Sequence, residues 1–164
     1  MKISPKTSRC TLTTPLGSMT LAAHDTALVW AGFDGQKHAP DTGAWPQSDS
    51  HPVLRLACEQ LQDYFASGRR SFDVPLDLSG GTAFQHSVWL SLLDIAPGTT
   101  CSYGTISQRI GKPKAVRAVG AAIGRNPLSI LVPCHRVVGA NGALTGYAGG
   151  IDRKIALLQL ESSL

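Results

Sequence analysis

The sequence has no apolar run that could cross a bilayer. Its longest such stretches, at 118–123 and 129–132, fall far short of the ~18 residues a membrane helix needs. Residues 1–14 alternate Lys and Arg with Ser and Thr and lack the apolar segment of a secretory leader, which points to a cytoplasmic protein. Cysteine is sparse: Cys10, Cys58, Cys101 and Cys134 form no C-x-x-C pair and are too few for a disulfide framework in 164 residues. They read as thiols of a reducing compartment. Cys10 with His24 follows no zinc spacing, so no metal site is expected. With 43% hydrophobic and only 16% charged residues, the chain is not disordered and can bury a core.

Acidic residues are missing where basic ones gather. Residues 1–82 carry a net charge of −1 and residues 83–164 a net charge of +5. Arg109, Lys112, Lys114, Arg117, Arg125 and Arg136 span a segment with no Asp or Glu. Such a face suits a polyanion, chiefly nucleic acid, although an ordinary solvated basic surface has the same composition.

The first half reads as β-rich. Met19, Leu21 and Ala23 alternate with small or polar residues, and a turn at Asp25-Thr26 leads into the apolar run 27–33, a hairpin pattern. Residues 35–50 are dense in Gly, Pro, Asp and Ser and read as an exposed loop. Val53, Leu54, Cys58, Leu61 and Phe65 then recur at helical spacing, with Asp49 or Ser50 as cap and Pro52 in the first turn. Phe72, Val74 and Leu76 alternate as a short strand, and 78–82 with Gly80-Gly81 reads as a linker. Two domains are expected, 1–79 and 80–164.

The second half reads as mostly helical. Phe84, Val88, Leu92 and Ile95 form one stripe ending at Pro97-Gly98; Ser102 caps a helix over 103–110 that Gly111 stops. Residues 114–124 place Val116, Val119 and Ile123 on one face, making a helix-turn-helix with the preceding helix. Ala118, Gly120, Ala121, Ala122 and Gly124 make this second helix unusually small-sided. Tight core packing explains such a helix, and so does close approach to DNA with Arg117 projecting past it, alongside Lys114 and Arg125. It lacks the long polar side chains of a major-groove reader, so shape or narrow-groove recognition fits better.

Residues 129–132 read as a buried strand running into Pro133-Cys134-His135-Arg136. A Cys beside a His in the most basic part of the chain is where a thiolate is stabilised. Neighbouring side chains on a strand point to opposite faces, so the pair cooperates only if the backbone turns there or a water bridges them; Pro133 points to a turn.

Pro133-Cys134-His135-Arg136-Val137, preceded by Arg117-Ala118-Val119-Gly120 and Asn126-Pro127 and followed by Gly146-Tyr147-Ala148-Gly149-Gly150, closely resembles the O6-alkylguanine-DNA alkyltransferases, in particular the bacterial Ogt-type, non-adaptive enzymes. The likeness runs almost without a gap over 80–161, taking in Phe84-Gln85, Val88-Trp89, Ser102-Tyr103-Gly104 and Glu161. It is looser before that, resting on Thr14-Pro15-Leu16-Gly17 and the strand pattern.

This resemblance implies an α+β protein: an N-terminal α/β domain with an antiparallel sheet of ribonuclease-H-like type, then a mainly helical C-terminal domain with the helix-turn-helix. It implies direct repair of alkylated double-stranded DNA, in which Cys134 takes the alkyl group from O6 of guanine, less readily from O4 of thymine, and keeps it. No cofactor, metal, membrane or obligate protein partner is implied, and a monomer is expected. His135 is implied to take the thiol proton through an ordered water, Glu161 to orient His135, Asn126 to brace the turn carrying Cys134, and Tyr103 to meet the flipped purine. Arg117 is implied to fill the space the base leaves, with Ala118, Gly120, Lys114, Arg125 and Arg136 completing the DNA-binding surface. Backbone groups near Val137 and Ala148 are implied to read the guanine edge; many relatives carry Ser where this chain has Ala148, which keeps the N–H but offers no hydroxyl. The competing readings are a non-catalytic protein that recognises alkyl lesions, whose relatives carry another residue in place of Cys134, a helix-turn-helix regulator, and a thiol hydrolase using Cys134 and His135.

Overall fold

The computed structural model describes residues 6–162. Residues 1–5, part of the stretch read for a leader, lie outside the described residues, as do 163–164. Strands β1 (Ser8–Thr14), β2 (Gly17–Ala23) and β3 (Leu28–Phe33) form an antiparallel meander in the order β1-β2-β3. The expected hairpin is β2-β3. β1 was not expected as a separate strand: it turns Cys10, Leu12 and Thr14 inward and Thr11 and Thr13 outward, an alternation that polar Thr on both faces blurs. Every residue of β3 is buried. One face meets the main core, and the other is closed by a small cluster of Ala22, Val29 and Trp30 under Trp45 of the 34–51 loop.

Helix α1 (Pro52–Ala66) lays Val53, Leu54, Ala57, Leu61 and Tyr64 on the sheet. Its cap is His51, whose Nδ1 accepts from the Val53 N–H at 3.2 Å, rather than Asp49 or Ser50. The strand expected at 72–76 is reduced to a single parallel bridge, Leu28 to Leu76. Leu28 donates to the Pro75 carbonyl (2.8 Å) and accepts from the Asp77 N–H (2.9 Å). Pro75 has no N–H with which to continue a ladder.

After an exposed turn at 79–80, helix α2 (Ala83–Leu92) opens with a capping box in which Thr82 and Gln85 satisfy each other's backbone N–H groups at 3.1 and 3.0 Å. Ile95 lies beyond the end of this helix but is still buried. A two-residue strand β4 (Cys101–Ser102) leads into α3 (Tyr103–Arg109), capped by Ser102 at 3.1 Å from the Thr105 N–H and ended by Gly111 at φ 73°. Helix α4 (Val116–Gly124) follows, completing the helix pair. Lys114 precedes it and Arg125 ends it, so neither is within the helix as expected. Val119 and Ile123 are buried, but Val116 is 41% exposed and does not share their face toward the core.

Residues 129–132 are a reverse turn rather than a strand. Ala31 of β3 donates to Pro127 O (2.9 Å) and accepts from the Ser129 N–H (2.8 Å), and Val132 N–H then folds back to Leu128 O (2.8 Å). Ile130 sits at φ 73°, a strained value for a β-branched residue, held by complete burial of its side chain. The apolar run is therefore explained by burial, which periodicity does not distinguish from extension. A 3-10 turn at Cys134–Arg136, strand β5 (Val137–Val138), parallel to β4, and helix α5 (Ile151–Leu160) complete the fold.

One apolar core runs through both halves. Trp89 of α2 fixes the position of α4 by donating its indole N–H to Ala122 O at 2.8 Å, and its ring lies so close over Gly81 that a Cβ there would come within 2.4 Å of it. Replacing Trp89 with Ala is expected to cost about 3–5 kcal/mol in urea unfolding. Because it frees α4, it should also loosen the surface that α4 presents.

Candidate active site and DNA-facing surface

Glu161, just past the end of α5, has a side chain with 0% exposure, and every partner it has is directional. Its Oε1 accepts from Tyr64 Oη (2.7 Å), His135 Nε2 (2.8 Å) and Arg136 Nη2 (2.9 Å), and its Oε2 accepts from Arg136 Nε (2.9 Å). Burial works to raise the pKa of this carboxyl, but hydrogen bonds from His135, Arg136 and Tyr64 outweigh it and hold the group well below the usual carboxylate range. Arg136 spends its remaining reach on Ile95 O at 2.7 Å. It is buried and paired, and so is not part of the DNA-facing surface where it was expected.

His135 is the next link. Burial pushes its pKa down, against the pull of Glu161 upward, so the ring is neutral at neutral pH. A neutral ring bonded to an ionised carboxylate through Nε2 carries its proton there. Its Nδ1 is then left as a lone pair, buried and without a hydrogen-bond partner among the described residues. The tight turn at Pro133 that the sequence pointed to is present.

Cys134 is buried, and burial raises its thiol pKa. The Asn126 amide, the Lys154 ammonium and the backbone N–H groups of Cys134 and His135 all oppose that rise. Asn126 joins the end of α4 to the cysteine turn: Nδ2 donates to Val132 O (2.8 Å) and Oδ1 accepts from the Leu128 N–H (2.9 Å).

Lys154 and Tyr64 escaped the sequence reading. Lys154 is only 1% exposed, and Nζ donates to the carbonyls of Val137 (2.5 Å), Thr145 (3.0 Å) and Gly146 (3.1 Å). Burial lowers its pKa to about 8. Both residues had a signal in the sequence: Lys154 shares the α5 stripe with Leu157, Leu158 and Glu161, and Tyr64 continues the α1 stripe of Ala57 and Leu61. A charged residue in register with an apolar stripe marks a buried ion.

Cys134 opens onto a cavity of about 290 Å³ whose walls include Tyr103, Gly120, Gly124, Thr145, Tyr147 and Ala148. The 35–50 loop reaches this cavity through Lys37 and His38, and Lys37 N–H also donates to Ala148 O at 3.0 Å. Tyr103 Oη donates to Thr145 O at 3.1 Å. Val137 is fully buried, and its carbonyl accepts one hydrogen bond, from Lys154 Nζ. On the outside, Arg117, Ala118 and Ala121 of α4 are exposed, while Gly120 and Gly124 face the cavity. Arg109, Lys112, Lys114 and Arg125 are also exposed.

Fold and site together define a protein that presents one thiol to a small cavity walled in part by a helix of small residues. The model of the ribonuclease-like domain of 6-O-methylguanine DNA methyltransferase matches residues 9–78, and the model of that protein's DNA binding domain matches residues 83–163. The methylated-DNA-protein-cysteine methyltransferase of Mycobacterium tuberculosis is 49% identical over 153 residues, 93% of this chain and 91% of the relative. That of Methanosarcina acetivorans is 48% identical over 150 residues, 91% of this chain and 94% of the relative. The crystal structure of the M. tuberculosis O6-methylguanine methyltransferase superposes with a TM-score of 0.87 at 48% identity, covering 96% of this chain and 93% of that one. The M. tuberculosis protein in complex with DNA superposes at 0.85, covering 93% and 91%. The chain belongs to the 6-O-methylguanine DNA methyltransferase family. The expected fold is borne out: an N-terminal ribonuclease-like antiparallel-sheet unit and a mainly helical C-terminal one.

Removing the charge of Glu161 tests the network directly. Glu161→Gln leaves Arg136 buried without its counter-ion and is expected to destabilise the fold by about 3–5 kcal/mol. The folded pKa of Glu161 lies below its unfolded one, so this stabilisation is fully present above ~4.3 and is lost as pH falls toward the folded value. Urea melts should therefore show the gap between wild type and variant constant at neutral pH and narrowing in acid.

Proposed function

We infer that this chain repairs alkylated double-stranded DNA by moving the alkyl group from O6 of guanine, less readily from O4 of thymine, onto Sγ of its own Cys134. The observation that carries this reading is the chain of contacts behind that sulfur: a thiol facing a cavity, an adjacent neutral histidine with a buried free lone pair, and an ionised glutamate fixing that histidine's tautomer.

The reaction balances without a cofactor. Because burial keeps Cys134 protonated at rest, the thiolate is generated only when the substrate is in place. His135 takes the proton through a bridging water, and Glu161 stabilises the cation that forms, as a carboxylate does for a hydrolase histidine. Lys154 lends positive charge to the sulfur. The sulfur attacks the alkyl carbon, the carbon–O6 bond breaks, and the electron pair leaves on guanine, which takes up the proton. Tyr103 meets the purine at the cavity wall and stabilises that charge; backbone groups near Val137 and Ala148 hold its edge. A thioether is a poor leaving group, so each molecule acts once.

O6 is buried in a stacked duplex, and the nucleotide must rotate out before Cys134 reaches it, at a cost of about a few kcal/mol. Helix α4 does this from the minor groove: Ala118 and Gly120 allow close approach, and Arg117 takes the place of the flipped base. Lys114 and Arg125, with Arg109 and Lys112, contact phosphates. The protein acts as a cytoplasmic monomer, with 1–79 as the supporting unit and 80–164 carrying DNA binding and chemistry. Among the described residues no helix is long and apolar enough to cross a membrane. A lesion-binding protein without chemistry has no use for the thiol, and a regulator reading base edges needs side chains that α4 lacks.

Peptide-mapped mass spectrometry after mixing with a duplex holding one O6-methylguanine should give one methyl group on Cys134, saturating at one per protein; an unmodified Cys134 despite lesion binding contradicts the reading. Arg117→Ala should slow repair in duplex by about 10-fold or more while leaving reaction with free O6-alkylguanine nearly unchanged, since flipping is needed only in DNA. Equal slowing of both would remove the flipping role. The transfer rate should hold steady through neutral pH and fall in acid as His135 protonates, with its midpoint below ~6.5.

A further inference from the structure

The chemistry assigned to Cys134 leaves Cys10 and Cys58 unused. Cys10 lies on β1 and Cys58 on α1, separated by 48 residues in sequence, yet their Sγ atoms are 3.4 Å apart and share a hydrogen bond. They form one wall of a cavity of about 300 Å³, separate from the Cys134 cavity, which also holds Asp49, Arg55 and Glu59. Cys10 is buried and Cys58 half-buried, so one sulfur of the pair is reachable from solvent and the other is held behind it. No group of three or more His, Cys, Asp or Glu among the described residues is arranged to hold a metal, which leaves thiol chemistry for this pair.

We propose that Cys10 and Cys58 are a redox site, closed by hydroperoxides into a disulfide that staples β1 to α1. To form the disulfide the two sulfurs close from 3.4 Å to ~2.05 Å. Cys58, the half-buried sulfur, meets the peroxide and attacks as the thiolate, and Cys10, buried behind it and sharing its hydrogen bond, is the resolving thiol. Cys58 thiolate attacks one peroxide oxygen; the O–O bond breaks, leaving a sulfenic acid on Cys58 and hydroxide, which becomes water. The sulfur of Cys10 then attacks the Cys58 sulfur, the S–O bond breaks, and the departing hydroxide takes the Cys10 proton. Two thiols and one hydroperoxide group become one disulfide, with the peroxide oxygens leaving as water or alcohol. A dithiol returns the pair to its starting state by exchange.

The geometry also sets an order of attack. Cys134 is buried whereas Cys58 is half-buried, so a peroxide in solution reaches Cys58 before Cys134. The staple would restrain α1, the helix whose Tyr64 holds Glu161.

The test uses the full chain treated with one equivalent of hydrogen peroxide, quenched with iodoacetamide and mapped by non-reducing mass spectrometry. The expected product is a Cys10–Cys58 linked peptide pair two hydrogens lighter than the separate thiols, lost on adding dithiothreitol, with Cys101 and Cys134 alkylated as in the untreated protein. Cys10→Ser should leave a sulfenic acid at Cys58 that dimedone traps, and Cys58→Ser should give neither product. Oxidation of Cys134 before the pair, or conversion of Cys58 to sulfinic acid with Cys10 still free in the wild type, would overturn the proposal. The wild-type map decides the matter even if a variant folds poorly.

Discussion

An ionised carboxylate with no exposure to water is stable only where charge and hydrogen bonds surround it, and Glu161 has both. Arg136 supplies the balancing charge through two nitrogens, Tyr64 supplies a hydroxyl, and His135 completes the set. From that arrangement the rest of the site follows. The histidine must donate through Nε2, its other nitrogen must then be a base, and the base sits one residue from the thiol.

The same constraint gives the N-terminal half a part in the chemistry. Tyr64 reaches Glu161 from α1, and Arg70 donates to Leu160 O at 2.8 Å, so the end of α5 is held by residues from the other half of the chain. Arg153 of α5 reciprocates by donating to Leu16 O at 2.9 Å and stacking over Phe33 at 4.5 Å. The cysteine turn is fixed from that side too, since Leu128 bridges to Ala31 of β3 and the Ser129 N–H donates to the Ala31 carbonyl. Strain at Ile130 and the clamp of Asn126 on Val132 set the direction in which the chain enters the turn at Pro133. A half that does not contain Cys134 thus fixes the turn that carries it.

Legibility in the sequence tracked how local each cause was. Helix α3 was readable because Ser102 and Gly111 act on their own backbone neighbours. The hairpin β2-β3 was readable from alternation. β1 and the turn at 129–132 were not, since an alternating strand of Cys, Leu and Thr carries a weak pattern and an apolar run does not reveal whether it is extended or folded. Arg136 was misassigned because charge density does not report pairing: its partner lies 25 residues away. Cys134 and His135 were legible through a family motif, whereas the contacts of Lys154 with three carbonyls exist only in three dimensions.

Glu161 fixes His135 as a neutral ring protonated on Nε2. Long-range nitrogen–proton NMR of the histidine-labelled protein, with His135 assigned by substitution, measures this directly. A single Nε2–H tautomer should persist, with Nδ1 unprotonated, from pH 7 down past the ordinary histidine midpoint of ~6.5. An Nδ1–H tautomer, or an imidazolium already present at neutral pH, would contradict it.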